Sequence, residues 1–202
     1  MTLETINTSI AQVLKQETKA AHEAIEQNDM MRCLMQNDLS VAHYIAVLEK
    51  KYTYYMALEP IIAPYLKNIG FDYEPRKKAH LAYQDLLGLG RQDTAIRNLP
   101  TCSNHYLPSI TCAAQAIGVL YVLEGSTLGG QMIARHLKQV LPTDLHAHTC
   151  FFAGYPKEEV GKMWQEFQKF LVHYAQNHTT EEKFIVSSAN ETFSTLHTWL
   201  MA

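Results

Sequence analysis

Hydrophobic positions recur along most of this 202-residue chain at three- and four-residue intervals, and no stretch keeps the alternation of a strand. The first such segment carries Ile10, Val13, Leu14, Ala21 and Ile25 on one stripe. Thr8 or Ser9 can cap its start, and Asn28-Asp29 marks its end. A second segment runs from Ser40, another cap, to Glu59, where Pro60 stops or kinks it. Shorter helical pieces follow over 75–88 and 91–98, and TCSNHYLPS (101–109) reads as a loop. A long apolar helix is expected from Ile110 to Leu141, ended by Pro142. Residues 142–155 form a connection, and amphipathic segments over 156–177 and 180–201 complete the pattern. No repeat, low-complexity tract or linker divides the chain, so the pattern predicts a single all-α domain over 1–202.

Composition narrows the function classes. Hydrophobic residues make up 47% of the chain, enough for one buried core, and the formal net charge of -3 offers nothing to nucleic acid or an anionic membrane. The one tight basic cluster, Arg76-Lys77-Lys78, reads as a solvated helix start. The apolar run from Ile110 to Leu123 contains Gln115 and is too short to span a bilayer. Cys33, Cys102, Cys112 and Cys150 form no C-x-x-C pair, and MTLETINTSI has no leader-like pattern. Reduced thiols in a cytoplasmic protein are therefore expected.

Ten histidines invite a search for metal ligands. No Glu-x-x-His pair of the di-iron type is present, and His22-Glu23 continues to Glu26 rather than to the second histidine of a zinc protease. Cys102 and His105 lack a second pair, while His146 and His148 fall in a connection and read as surface residues. His22 has a different setting, in KQETKAAHEAIEQ, behind the small residues Ala20 and Ala21 and one turn before Glu26. That spacing suits a ligand histidine whose second nitrogen is oriented by an acceptor, and on spacing alone an ordinary half-exposed i,i+4 pair is the plainer reading.

The stretch YVLEGSTLGGQMIARHL (121–137) places Gly125, Gly129 and Gly130 in an otherwise good helix, at a cost of about 3 kcal/mol in all. Glycines in this pattern let a second helix pack closely, join two helices by a turn, or let backbone approach a flat, bulky group. Spacing alone leaves these readings level.

Together the two segments resemble the haem oxygenase family in its bacterial form. LKQETKAAHEAIEQNDMM (14–31) is similar to the family's proximal helix, and LYVLEGSTLGGQMIARHL (120–137) to its kinked distal helix. The resemblance implies that His22 ligates haem iron, with Glu26 beside it, and that Lys15 and Tyr121 lie near the haem propionates. It places Gly125, Ser126, Gly129 and Gly130 on the oxygen side, where Ser126 stands in place of the aspartate of mammalian members. Lys169 is a further candidate for the propionates, and Phe193 either packs at the haem edge or belongs to the core. The implied activity is haem cleavage by O₂ to biliverdin, CO and ferrous iron. Haem would be substrate and cofactor together, and electrons would come from a reductase or ferredoxin. Two alternatives stay open: a haem or bilin carrier or sensor without turnover, and a thiaminase-like member of the same fold, which would need a nucleophilic cysteine.

Overall fold

The structure, a computed structural model, describes residues 9–202. Thr8, the alternative first cap, and most of the stretch searched for a leader lie outside the described residues. Ser9 begins helix α1 (Ile10–Glu17), its backbone N–H donating to the Gln12 side chain at 3.2 Å. The first long helix expected from the sequence is divided at Thr18 into α1 and α2 (Lys19–Glu26). The Thr18 hydroxyl donates to the Leu14 carbonyl at 2.7 Å, a local bond that competes with helix continuation and bends the chain. Asn28 ends this unit and caps the short α3 (Asp29–Cys33) by accepting from the Met30 N–H at 3.0 Å.

Ser40 caps α4 as expected, accepting the His43 N–H at 3.2 Å, but α4 (Val41–Asn68) does not stop at Pro60. It continues through Pro60 and Pro64. Met56, Pro60 and Pro64 stand four apart on the exposed side, so the carbonyls that lose a partner face water. The helix ends at Gly70 (φ 76°), where the Phe71 N–H reaches the Leu66 carbonyl at 3.0 Å and closes a Schellman motif. After a 3₁₀ turn over Glu74–Arg76 come α5 (Ala79–Gly88) and α6 (Asp93–Arg97).

The apolar helix α7 (Ala113–Val140) is one uninterrupted α-helix through its glycines, and Pro142 follows it. The connection expected over 142–155 contains a 3₁₀ turn and the short α8 (Cys150–Ala153). Helices α9 (Lys157–Asn177) and α10 (Glu182–Met201) complete the chain. Helix α10 is the floor of the assembly: α7 packs along it most extensively, and α1 and α2 pack on it as well. Leu14, Leu58, Ile117, Phe167 and Ile185 are among the fully buried side chains that join these layers. Each such burial contributes about 1.5–3 kcal/mol. Among the described residues no helix is long and apolar enough to cross a membrane.

Candidate functional site

Because α2 and α7 both rest on α10, each presents a side to the same region without packing mainly on the other. On α2, His22 is half-exposed and its Nδ1 lies 3.7 Å from Glu26 Oε1, the i,i+4 pair read from the sequence. The imidazole stands edge-on to Phe193 of α10, ring centroids 5.5 Å apart. Phe193 itself is buried in the core, one of the two readings given to it, and from there its ring also supports the His22 imidazole. Among the described residues no three His, Cys, Asp or Glu side chains converge to hold a metal ion.

The glycines of α7 divide. A Cβ built on Gly129 meets nothing within 4 Å, and one on Gly125 reaches only Trp164, at 3.9 Å. At Gly130 the same atom would lie 2.3 Å from the carbonyl oxygen of Phe152, so Gly130 is turned to α8 rather than to the open side expected for it. Gln131 reinforces that seat by donating to the Ala153 carbonyl. Gly118, which the sequence pattern did not single out, is as tight: its Cβ would sit 2.2 Å from the Ile185 carbonyl on α10.

Ser126 is exposed on α7, donates to the Leu123 carbonyl at 2.7 Å, and lies 3.4 Å from the hydroxyl of buried Tyr55. Beside it is a cavity of about 50 Å³ whose polar lining comes from Lys51, Tyr55, Lys78, Ser126 and Thr127. Tyr121 is half-buried, 6.0 Å from Trp164. Burial pushes its phenol up, and the nearby Thr18 side chain partly opposes this, so α7 comes close to the bend between α1 and α2. Lys15 is exposed on α1. Lys169 lines a shallow groove with Ala11 and His173, and Lys15 stands one turn along from Ala11 but outside that lining.

Sequence reading missed the buried charges under α7. Arg76 and Lys78, expected on a solvated helix start, are 5% and 2% exposed. Arg76 Nη1 pairs with Glu124 Oε2 at 2.6 Å, and the Tyr155 hydroxyl donates to Glu124 Oε1 at 2.7 Å. Lys78 Nζ donates to the Leu123 carbonyl at 3.0 Å and to Thr127, while its backbone N–H donates to Glu59 Oε1 at 2.6 Å. Burial pushes the Glu59 carboxyl up and the Lys78 ammonium down to about 8. The signal was present in α4, where Lys51, Tyr55 and Glu59 follow one another at helical spacing on an apolar stripe.

The remaining candidates have structural roles. His146 Nε2 lies 3.0 Å from the Leu141 carbonyl, and the His148 ring fills the space beside Gly88, so neither is the plain surface residue expected. All four cysteines are free, and burial raises Cys33, Cys150 and Cys102, the last to about 11. That is the opposite of what a thiolate nucleophile requires.

A family model described as "Heme oxygenase" matches residues 8–202. A heme oxygenase from Xanthomonas campestris pv. campestris is 29% identical over 175 residues, covering 86% of this chain and 98% of that protein. The NO- and CO-bound heme oxygenase of Neisseria meningitidis superposes with a TM-score of 0.72 at 27% identity, covering 95% of this chain and 90% of the other. Heme oxygenase-1 of Synechocystis, solved in complex with heme, gives 0.70 at 19% identity, covering 96% and 91%.

Proposed function

This chain belongs to the haem oxygenase family, and on that premise we propose that it cleaves haem to biliverdin, CO and ferrous iron. The observation that carries the reading is the pairing of a half-exposed His22, backed edge-on by Phe193, with a distal helix whose Gly125 and Gly129 leave backbone bare. These residues fit the group: one imidazole for the iron, and glycine backbone where a flat ring system must come close. Haem bound there would supply the iron at which O₂ is reduced, with electrons from a separate reductase or ferredoxin.

The protein's own part is to bind and orient. Neutral His22 would donate its Nε2 lone pair, with Glu26 near Nδ1 fixing the tautomer. Phe193 holds the imidazole plane. Lys15 and Lys169 offer cationic partners for the propionates, and Tyr121 offers a hydroxyl. Ser126 and Tyr55 present hydroxyls on the oxygen side, where they order water and pass protons. The bare backbone at Gly129 sets how closely the ring and the ligand above it approach α7.

Haem titration followed by reductant and oxygen tests the reading. A Soret band of histidine-ligated haem is expected, then conversion to a pigment identified as biliverdin. His22→Ala should lose that spectrum and regain part of it with added imidazole. Haem bound with no pigment formed would make the protein a carrier or sensor. No Soret shift would remove the haem reading altogether.

A further inference from the structure

Lys51 belongs to the buried stripe of α4, one turn before Tyr55, and is 6% exposed. It makes no hydrogen bond or ion pair among the described residues, and burial alone pushes its ammonium down to about 8. Lys78, the other charged group lining its cavity, and the buried carboxylates under α7 are already engaged. Lys78 donates to Leu123 and Thr127, Glu59 accepts two backbone N–H groups, and Glu124 is held by Arg76 and Tyr155. Met31 from α3, Ile133 from α7 and Phe151 with Phe152 from α8 bring no charge to the cavity that Lys51 lines. Tyr55 is the other titratable group facing it from α4, and its phenol stays protonated, pushed up by burial.

A volume of about 50 Å³ has room for about three waters. A buried cation without a protein partner keeps water or an anion near it, since leaving it dry is very costly. The same cavity is lined by Ser126, an exposed residue next to Gly125 whose hydroxyl lies 3.4 Å from that of Tyr55.

We propose that Lys51 is the electropositive group of the oxygen side in this chain, a positioning residue. Resting on the haem-binding reading above, it orients water in the cavity and, through Tyr55 and Ser126, favours an anionic ligand over the face that Gly125 and Gly129 leave open. It places a positive charge behind Ser126, where an aspartate would have placed a negative one.

The ferric haem complex of the whole chain is titrated with fluoride, and separately with base, following the visible spectrum. Lys51→Met should bind fluoride about tenfold more weakly and raise the alkaline transition by about one pH unit, with an unchanged Soret band. Lys51→Gln, which keeps a donor but loses the charge, should recover part of the fluoride affinity and none of the shift in transition. A folded Lys51→Met or Lys51→Gln protein whose transition stays at the wild-type pH overturns the proposal while leaving haem binding intact. A wild-type protein without a haem spectrum overturns the haem reading and this proposal with it.

Discussion

Gly129 and Gly130 are neighbours in sequence and face opposite surroundings. One looks onto space in which a methyl group meets nothing within 4 Å; the other is pressed to 2.3 Å from a backbone carbonyl of α8. The same contrast extends along the helix, with Gly118 on the packed face and Gly125 on the bare one. A glycine-rich helix therefore has two separate causes here. The packed face needs glycine for backbone to meet backbone, whereas the bare face gains nothing in the protein itself from lacking side chains. That asymmetry is what the haem reading explains, and it can be broken from either side.

The largest effect is expected beneath the packed face. Glu124→Ala leaves Arg76 buried with its guanidinium facing no close carboxylate but the more distant Glu166, at 3.5 Å. Breaking one half of a buried pair costs about 3–5 kcal/mol, which urea unfolding would measure. A loss under 1 kcal/mol would mean that the pair does not anchor α7.

Next come the packing glycines. Gly118→Ala forces its methyl against the Ile185 carbonyl and also close to the Ala189 nitrogen and Ser188 Cβ, both at 3.0 Å. Gly130→Ala has the Phe152 carbonyl as its main obstacle. Both should destabilise, Gly118→Ala by about 3 kcal/mol and Gly130→Ala by somewhat less. In a domain of this size that lowers Tm by roughly 2–4 °C per kcal/mol. Either alanine tolerated without loss would erase the distinction between the two faces.

What the sequence could say follows the same division. Ser9, Ser40 and Pro142 mark helix ends through chemistry confined to a few residues, and each is found in its expected place. His22 and Glu26 meet because four residues make one helical turn. Thr18 and Pro60 mislead because their outcome depends on where each carbonyl points, to a side-chain hydroxyl in one case and to water in the other. Arg76 and Lys78 mislead further, since partners 48 and 49 residues away neutralise or satisfy them. Local periodicity likewise could not separate Gly129 from Gly130, because only α8 tells them apart.

A smaller effect belongs to the two buried lysines on either side of the cavity. Lys51 and Lys78 are both held near 8 in the fold, against 10.5 in an unfolded chain. Below pH 8 both are charged in either state, at a constant penalty to the fold. Between about 8 and 10 the folded protein sheds protons that the unfolded chain keeps, so stability rises by on the order of 1 kcal/mol per pH unit for each lysine. Above about 10 the buried tyrosines reverse the trend, because Tyr44, Tyr54 and Tyr55 resist ionisation that the unfolded chain undergoes freely. Urea titrations at pH 7.5, 8.5 and 9.5 should show the rise, and Lys51→Met should remove about half of it. A flat profile in the wild type would place both ammoniums in contact with bulk water.

The smallest effect on the fold is expected at Gly129, and it is the one that bears most on function. Its alanine has open space around the new methyl and a normal helical backbone, so the substitution should leave stability unchanged or raise it by up to ~1 kcal/mol. On the haem reading that methyl projects into the volume needed by the ring or by the ligand above it. Haem should then bind more weakly or in a shifted orientation, with biliverdin formation lost although Tm holds. Gly125→Ala should behave in the same sense but less cleanly, because Trp164 already stands 3.9 Å from its new atom. The comparison is sharpest when Gly129→Ala and Gly130→Ala are measured side by side, one expected to be stable and inactive, the other unstable and active in proportion to its folded fraction. If Gly129→Ala instead turns haem over at the wild-type rate, the bare face of α7 is not where the ring lies.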